Sequence, residues 1–201
     1  MWGLMLKDLL NLKKQGQLFL VLLLVYGVLA FSSNMPELFS VFIMIGAVIP
    51  VTAEAFDERA HWDRLVLSLP VSKKMVVGSK YLLGAGLSLI GMGFYIGMGA
   101  FHPEAAFGEL VQSAVMIYSL SVLMLAVLMP LLFKFGSEKL RLIMLVIVLI
   151  PAVCFAAGFV QIPEIAPEQV TLLVTAAAAA VLCLLAVSFF VSVGIVSRKE
   201  F

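Results

Sequence analysis

Six long apolar stretches separated by short polar breaks set the rhythm of the chain. They run at about 17–33, 38–53, 75–100, 110–133, 142–160 and 170–196. Each is close to the ~20 residues that carry a helix across a ~30 Å hydrocarbon core. In such a core every backbone polar group must be satisfied within its own segment, so runs of this length read as helices. The breaks SSNMPE, FHPEAAFGE and QIPEIAPEQ hold the proline and polar residues that end helices. Ser72, just after Pro70, has the place and chemistry of an N-cap for the third span. The pattern predicts an all-α membrane protein of six transmembrane helices, one domain over residues 1–201.

Two segments depart from the apolar rule without becoming simple loops. In MWGLMLKDLLNLKKQ, Trp2, Met5, Leu6, Leu9, Leu10 and Leu12 share one broad helical side. Lys7, Asp8, Asn11, Lys14 and Gln15 fall largely on the other. A helix of this kind, with Lys13 and Lys14 at its end, lies in the interface plane of a bilayer. The second segment is EAFDERAHWDRLVLSLPVSKK, residues 54–74. On a helix from about 53 to 69, Ala55, Trp62, Leu65, Val66 and Leu69 fall on one stripe, with Glu54, Asp57, Glu58, His61 and Arg64 elsewhere. Arg59 and Asp63 form an i, i+4 pair. Two readings stay open from pattern alone: a helix lying on lipid, or a docking element whose aromatic anchor is ringed by charge.

Composition agrees with the pattern. The chain is 63% hydrophobic and 12% charged, about half the charged share of a soluble domain. Its mean hydropathy is +1.16. The start has neither the short apolar core nor the small-residue cleavage site of a signal peptide.

Net charge is only +1, but its distribution is informative. All 13 Lys and Arg fall in segments 1–16, 54–80, 134–141 and the tail. The three opposite breaks carry Glu37, Glu104, Glu109, Glu164 and Glu168 and no basic residue. The positive-inside rule places both termini and residues 54–74 in the cytoplasm; the chain is expected to be a multi-pass protein of the plasma membrane.

Several chemistries are excluded by what the spans lack. No ionisable residue lies near the middle of any span, which argues against a proton relay. Lys80 and Lys134 are close enough to the cytoplasmic ends to snorkel. Paired carboxylates or a zinc set for an intramembrane protease are missing, and His61 and His102 stand far apart. Cys154 and Cys183 lie in apolar runs and read as buried small side chains. No phosphate-binding loop is present, so no cofactor is expected on this chain and it is not expected to be an enzyme. The third span, GAGLSLIGMGFYIGMGA, is dense in glycine and reads as a close packing face, with Gly93 and Gly97 as a small-xxx-small pair.

The start LKDLLNLKKQ, followed by two spans and then EAFDERAHWDRLVLSLPVSKKMVVGSKYL over residues 54–82, resembles the small six-span permeases of the ABC-2 type. Within that group it is most similar to the short permeases of bacterial peptide exporters of the phenol-soluble-modulin type. The resemblance implies an exporter permease that moves an amphipathic peptide or similar hydrophobic cargo. It further implies a second permease copy and separate ABC ATPase subunits, with ATP and magnesium bound on those partners; nucleic acid has no role. Glu54, Asp57, Glu58, Arg59, Trp62, Asp63, Arg64, Leu65, Leu69 and Pro70 then become the region that couples to the ATPase. Trp2, Met5, Leu6, Leu9, Lys13 and Lys14 become the membrane-interface helix. The alternative is a membrane anchor or assembly subunit that binds a cytoplasmic partner without carrying cargo.

Overall fold

A computed structural model describes residues 2–12, 16–33, 35–60, 72–101, 107–156 and 167–198. Trp62, Asp63, Arg64, Leu65, Leu69 and Pro70 lie outside the described residues, as do Lys13 and Lys14. Among the described residues all regular structure is helical. The order is α1 (Trp2–Leu12), α2 (Gly16–Ser33), a 3-10 turn (Pro36–Ser40), α3 (Val41–Arg59), α4 (Lys73–Gly99), α5 (Phe107–Ala156) and α6 (Pro167–Arg198).

Among the described residues, four helical stretches are long and apolar enough to cross a membrane: Glu37–Arg59, Lys73–Gly99, Phe107–Val146 and Val174–Arg198. The surface supports the same reading. Phe190 is 72% exposed and Ile90 69%, while Ser88, Ser121 and Ser192 are buried. A chain that turns isoleucine and phenylalanine outward and serine inward is built for a lipid surround. Cys183 is exposed on this outer surface, contrary to the expectation that it would be buried. Its small apolar character suits lipid as well as a core, which is why composition alone did not separate the two.

Close backbone approach holds α3 to α4. A Cβ added at Gly46 would collide with the backbone of Ser88, and one at Gly91 would come within 2.6 Å of the Phe42 carbonyl oxygen. Glycine at both points lets the two helices meet backbone to backbone. Ser88 and Ser121 then share a hydrogen bond of 2.9 Å, and Ser121 donates to the Ile43 carbonyl at 3.0 Å. Three helices are thereby stitched in the middle of the bundle. The packing reading of the glycines holds on one side of α4 only. Gly86, Gly93 and Gly97 meet nothing within 4 Å, so the Gly93–Gly97 pair lies on an open face.

Polar residues 134–141 read as a loop between spans, but the structure spends a single residue on the break. Helix α5 is helical on both sides of Gly136, whose φ of 79° and ψ of 170° only glycine adopts readily. The two arms fold back on each other. Leu120 and Met144 line one cleft, whereas on a straight helix they would lie about 36 Å apart at ~1.5 Å per residue.

Two cores stack along the bundle. One gathers Val77, Tyr81, Leu125, Met129, Leu140 and Val196, at the end where α4 begins and α6 finishes. The other gathers Ala30, Phe39, Ile43, Tyr95, Leu110 and Ala114, at the opposite end.

Candidate functional site

The second span was expected to stop near residue 53, with a separate helix after it. Instead α3 carries on through Glu54, Asp57 and Glu58 to Arg59, and closes at Ala60. The polar residues are therefore the last turns of the span helix itself, and helix periodicity decides which way each one faces.

Glu54 and Asp57 turn inward. Asp57 is 4% exposed and bridges two ammonium groups. Its Oδ2 accepts from Lys80 Nζ at 2.6 Å, and its Oδ1 from Lys7 Nζ at 2.6 Å. Lys80 also reaches Asp8 at 3.1 Å and Glu54 at 3.2 Å. Lys7 shares the same Asp8 oxygen at 3.1 Å. Three carboxylates and two cations from α1, α3 and α4 thus meet at one end of the bundle. Asp8 Oδ2, fully buried, has no hydrogen-bond partner among the described residues.

Lys80 corrects the snorkelling expectation. It is 2% exposed and points into this cluster, not along the helix to water. Burial of an ammonium is tolerable only when its charge is compensated at short range, and three carboxylates do that here. Sequence reading put Asp57 and Glu54 in the region that couples to the ATPase and Asp8 on the polar side of the first helix, without bringing them together. The missed signal was Lys80 itself, a cation set between VVGS and YLL on an otherwise apolar helix.

Glu58 and Arg59 are exposed. Glu58 crosses to the α5 break, where its Oε2 accepts from the Ser137 backbone N–H at 2.8 Å. Ser137 opens the second arm of α5, so the carboxylate caps orphan donors at a helix N-terminus. Lys73 closes the far side: its ammonium donates to the Val196 and Ser197 carbonyls at 3.2 and 3.4 Å, at the C-terminal end of α6. Ser72 is the N-cap expected, with extended backbone and its hydroxyl accepting from Met75 N–H at 3.3 Å. These contacts bring α1, the end of α3, the start of α4, the Gly136 break and the end of α6 to one end of the bundle. Every described basic residue lies in these segments.

Helix α1 shows its leucines outward. Leu6, Leu9 and Leu10 are exposed while Asp8 is fully buried, the reverse of a helix seated on a water-soluble core. Met5 is half-buried.

A cleft of about 380 Å3 opens between the two arms of α5, lined by Met44, Leu120, Met124, Val127, Leu128 and Met144 among others. Methionine lining is conformationally adaptable, as surfaces that accept varied apolar partners are. Among the described residues there is no group of His, Cys, Asp and Glu that could hold a metal ion.

A chain helical throughout its described elements, with an apolar exterior, several membrane-length helices and its described basic residues gathered at one end, is a multi-pass membrane protein. The profile described as ABC-2 family transporter protein matches residues 3–197. The chain belongs to that family and is a permease component of an ABC transporter, a class that works with an ABC ATPase. No curated protein and no solved structure matches it.

Proposed function

We propose that the chain is the six-span permease of an exporter for amphipathic peptides or similar hydrophobic cargo, driven by a separate ATPase subunit and paired with a second permease copy. The segment 54–70 is the element the ATPase grips, and α1 lies in the interface of the cytoplasmic leaflet. The chain itself hydrolyses nothing; ATP and magnesium sit on the partner. The gathering of basic segments at one end supports cytoplasmic termini, since cytoplasmic loops collect Lys and Arg. The fold-back at Gly136 supports two crossings within α5, and α2 supplies a further one.

The observation that carries this reading is the course of α3. It leaves the span without a break and ends at Ala60, where the segment holding Trp62 begins. Its last turns are tied by ion pairs to α1 and α4. A handle fixed to two neighbouring helices suits a part that receives force from outside. The adaptable apolar cleft supports hydrophobic cargo.

The test is co-purification of the ATPase with Trp62→Ala at matched expression. An anchoring aromatic costs about 2 kcal/mol or more on truncation, roughly thirtyfold in affinity. The ATPase should be lost or uncoupled while the spans stay inserted. If Trp62→Ala keeps the partner and full coupled transport, the segment is a lipid-surface helix instead.

A further inference from the structure

The ion cluster at the end of α3 does more than the burial of Asp8, Asp57 and Lys80 requires. Two ammonium groups face three carboxylates, so the acceptors outnumber the cations. Lys80 Nζ touches Asp57, Asp8 and Glu54 at once, at 2.6, 3.1 and 3.2 Å. Lys7 Nζ holds both oxygens of Asp57, at 2.6 and 2.7 Å. Asp8 Oδ1 is shared by both cations, while its Oδ2, buried beside them, has no hydrogen-bond partner among the described residues.

A static tie would not need that spare oxygen. An unpaired buried carboxylate oxygen is costly. What the surplus permits is exchange. Lys80 can move from Asp57 toward Asp8 while always keeping a carboxylate in reach. Asp57 is on the last turn of α3, the turn that also carries Glu58, so displacement of the segment that follows α3 reaches this carboxylate. Asp8 is on α1 and Lys80 on α4. Each element therefore contributes one side of the exchange.

We propose that Lys80, Asp57 and Asp8 are positioning residues that pass movement of the segment after α3 into α4 and α1, by exchange of carboxylate partners around Lys80. This rests on the coupling reading above. In packed proteins small shifts at one site are amplified because such arrangements have two discrete states.

The experiment uses the permease with its bound ATPase in lipid nanodiscs. Spin labels are placed at Leu9→Cys on α1 and Met75→Cys on α4, both at exposed positions, with Cys154 and Cys183 replaced by serine. The distance between labels is measured without nucleotide and after trapping with ATP and vanadate. The parent should change distance on trapping. Asp8→Asn keeps the shape and the oxygen facing Lys80 but removes the spare acceptor. It should leave the nucleotide-free distance unchanged and lose at least half of the trapped shift. Lys80→Met should lose the shift entirely, and Lys80→Arg should restore part of it. If Lys80→Met fails to assemble, the isosteric Asp8→Asn decides alone. A parent complex that binds the ATPase but shows no shift overturns the inference, as does Asp8→Asn with the full parental shift. A parent that binds no ATPase overturns the coupling reading, and this inference falls with it.

Discussion

Glu58 and Ser137, 79 residues apart in sequence, are joined by a hydrogen bond of 2.8 Å between a carboxylate and a backbone N–H. The bond sits beside Gly136, the one residue of α5 with left-handed backbone. A Cβ at Gly136 would come within 2.6 Å of the Glu58 carboxylate. Glycine at that position therefore serves two needs, the positive φ and the room for its cap.

Glu58→Ala should remove this cap at a cost of about 1 kcal/mol, in the range of N-cap losses. Glu58→Gln keeps an acceptor oxygen and should recover part of it. Gly136→Ala should cost more, because it strains the backbone and collides with the carboxylate. Thermal unfolding of the detergent-solubilised chain would rank the three. Equal melting for Glu58→Ala and the parent would mean that the cap contributes nothing.

The two classes of glycine in and against α4 should behave oppositely. Gly46→Ala and Gly91→Ala each place a methyl group against backbone of the facing helix, which cannot yield as a flexible side chain would. Both should destabilise the bundle. Gly86→Ala meets nothing within 4 Å and improves helix propensity by up to ~1 kcal/mol on scales measured in water. It should be neutral or stabilising. A matched trio of melting curves checks this; equal loss at all three positions would contradict the α3–α4 contact.

The helices, the Ser72 cap and the common end of the basic segments were legible because each depends on local pattern. Apolar run length gives a span, and a serine before a run gives a cap. Positions 134–141 misled because KFGSEKLR has the composition of a loop, while a membrane boundary makes helical turns polar too. The continuation of α3 to Arg59 was missed for the same reason. The ion cluster was hidden for a different one. Lys80 is 72 residues from Asp8 and 23 from Asp57, and only tertiary placement brings them together. Periodicity assigns Asp57 to the polar side of its helix, but does not say that another polar group waits there.

Lys80 and Lys7 should differ in consequence. Lys80→Met leaves buried Asp8 and Asp57 and half-buried Glu54 with Lys7 as the remaining cation of the cluster, and breaking a buried pair costs about 3–5 kcal/mol. The side chain of Lys7 is 21% exposed, so water can take over part of its role when it is replaced. Lys7→Met should be the milder change. Expression and monodispersity in detergent, followed by melting, would order them; a reversed order would mean that Lys80 is not the centre of the cluster.

Tyr81 ties α4 to α6 through a buried hydroxyl network. Its OH lies 2.6 Å from Ser188 Oγ and 2.9 Å from Ser192 Oγ, and Ser188 also donates to the Ala126 carbonyl. Tyr81→Phe keeps the ring and its edge-on contact with Phe189, whose centroid is 5.8 Å away. It removes only the hydroxyl. Ser188 keeps its bond to Ala126, so the loss falls on Ser192. A buried hydroxyl left without this partner should cost about 1 kcal/mol, the usual net value of one hydrogen bond. Adding Ser192→Ala to Tyr81→Phe removes the orphan and should return part of that loss. A double-variant cycle on melting temperature therefore has a definite sign: the two changes together should cost less than their separate effects added. Simple additivity would show that Tyr81 and Ser192 are not partners in the membrane-embedded protein.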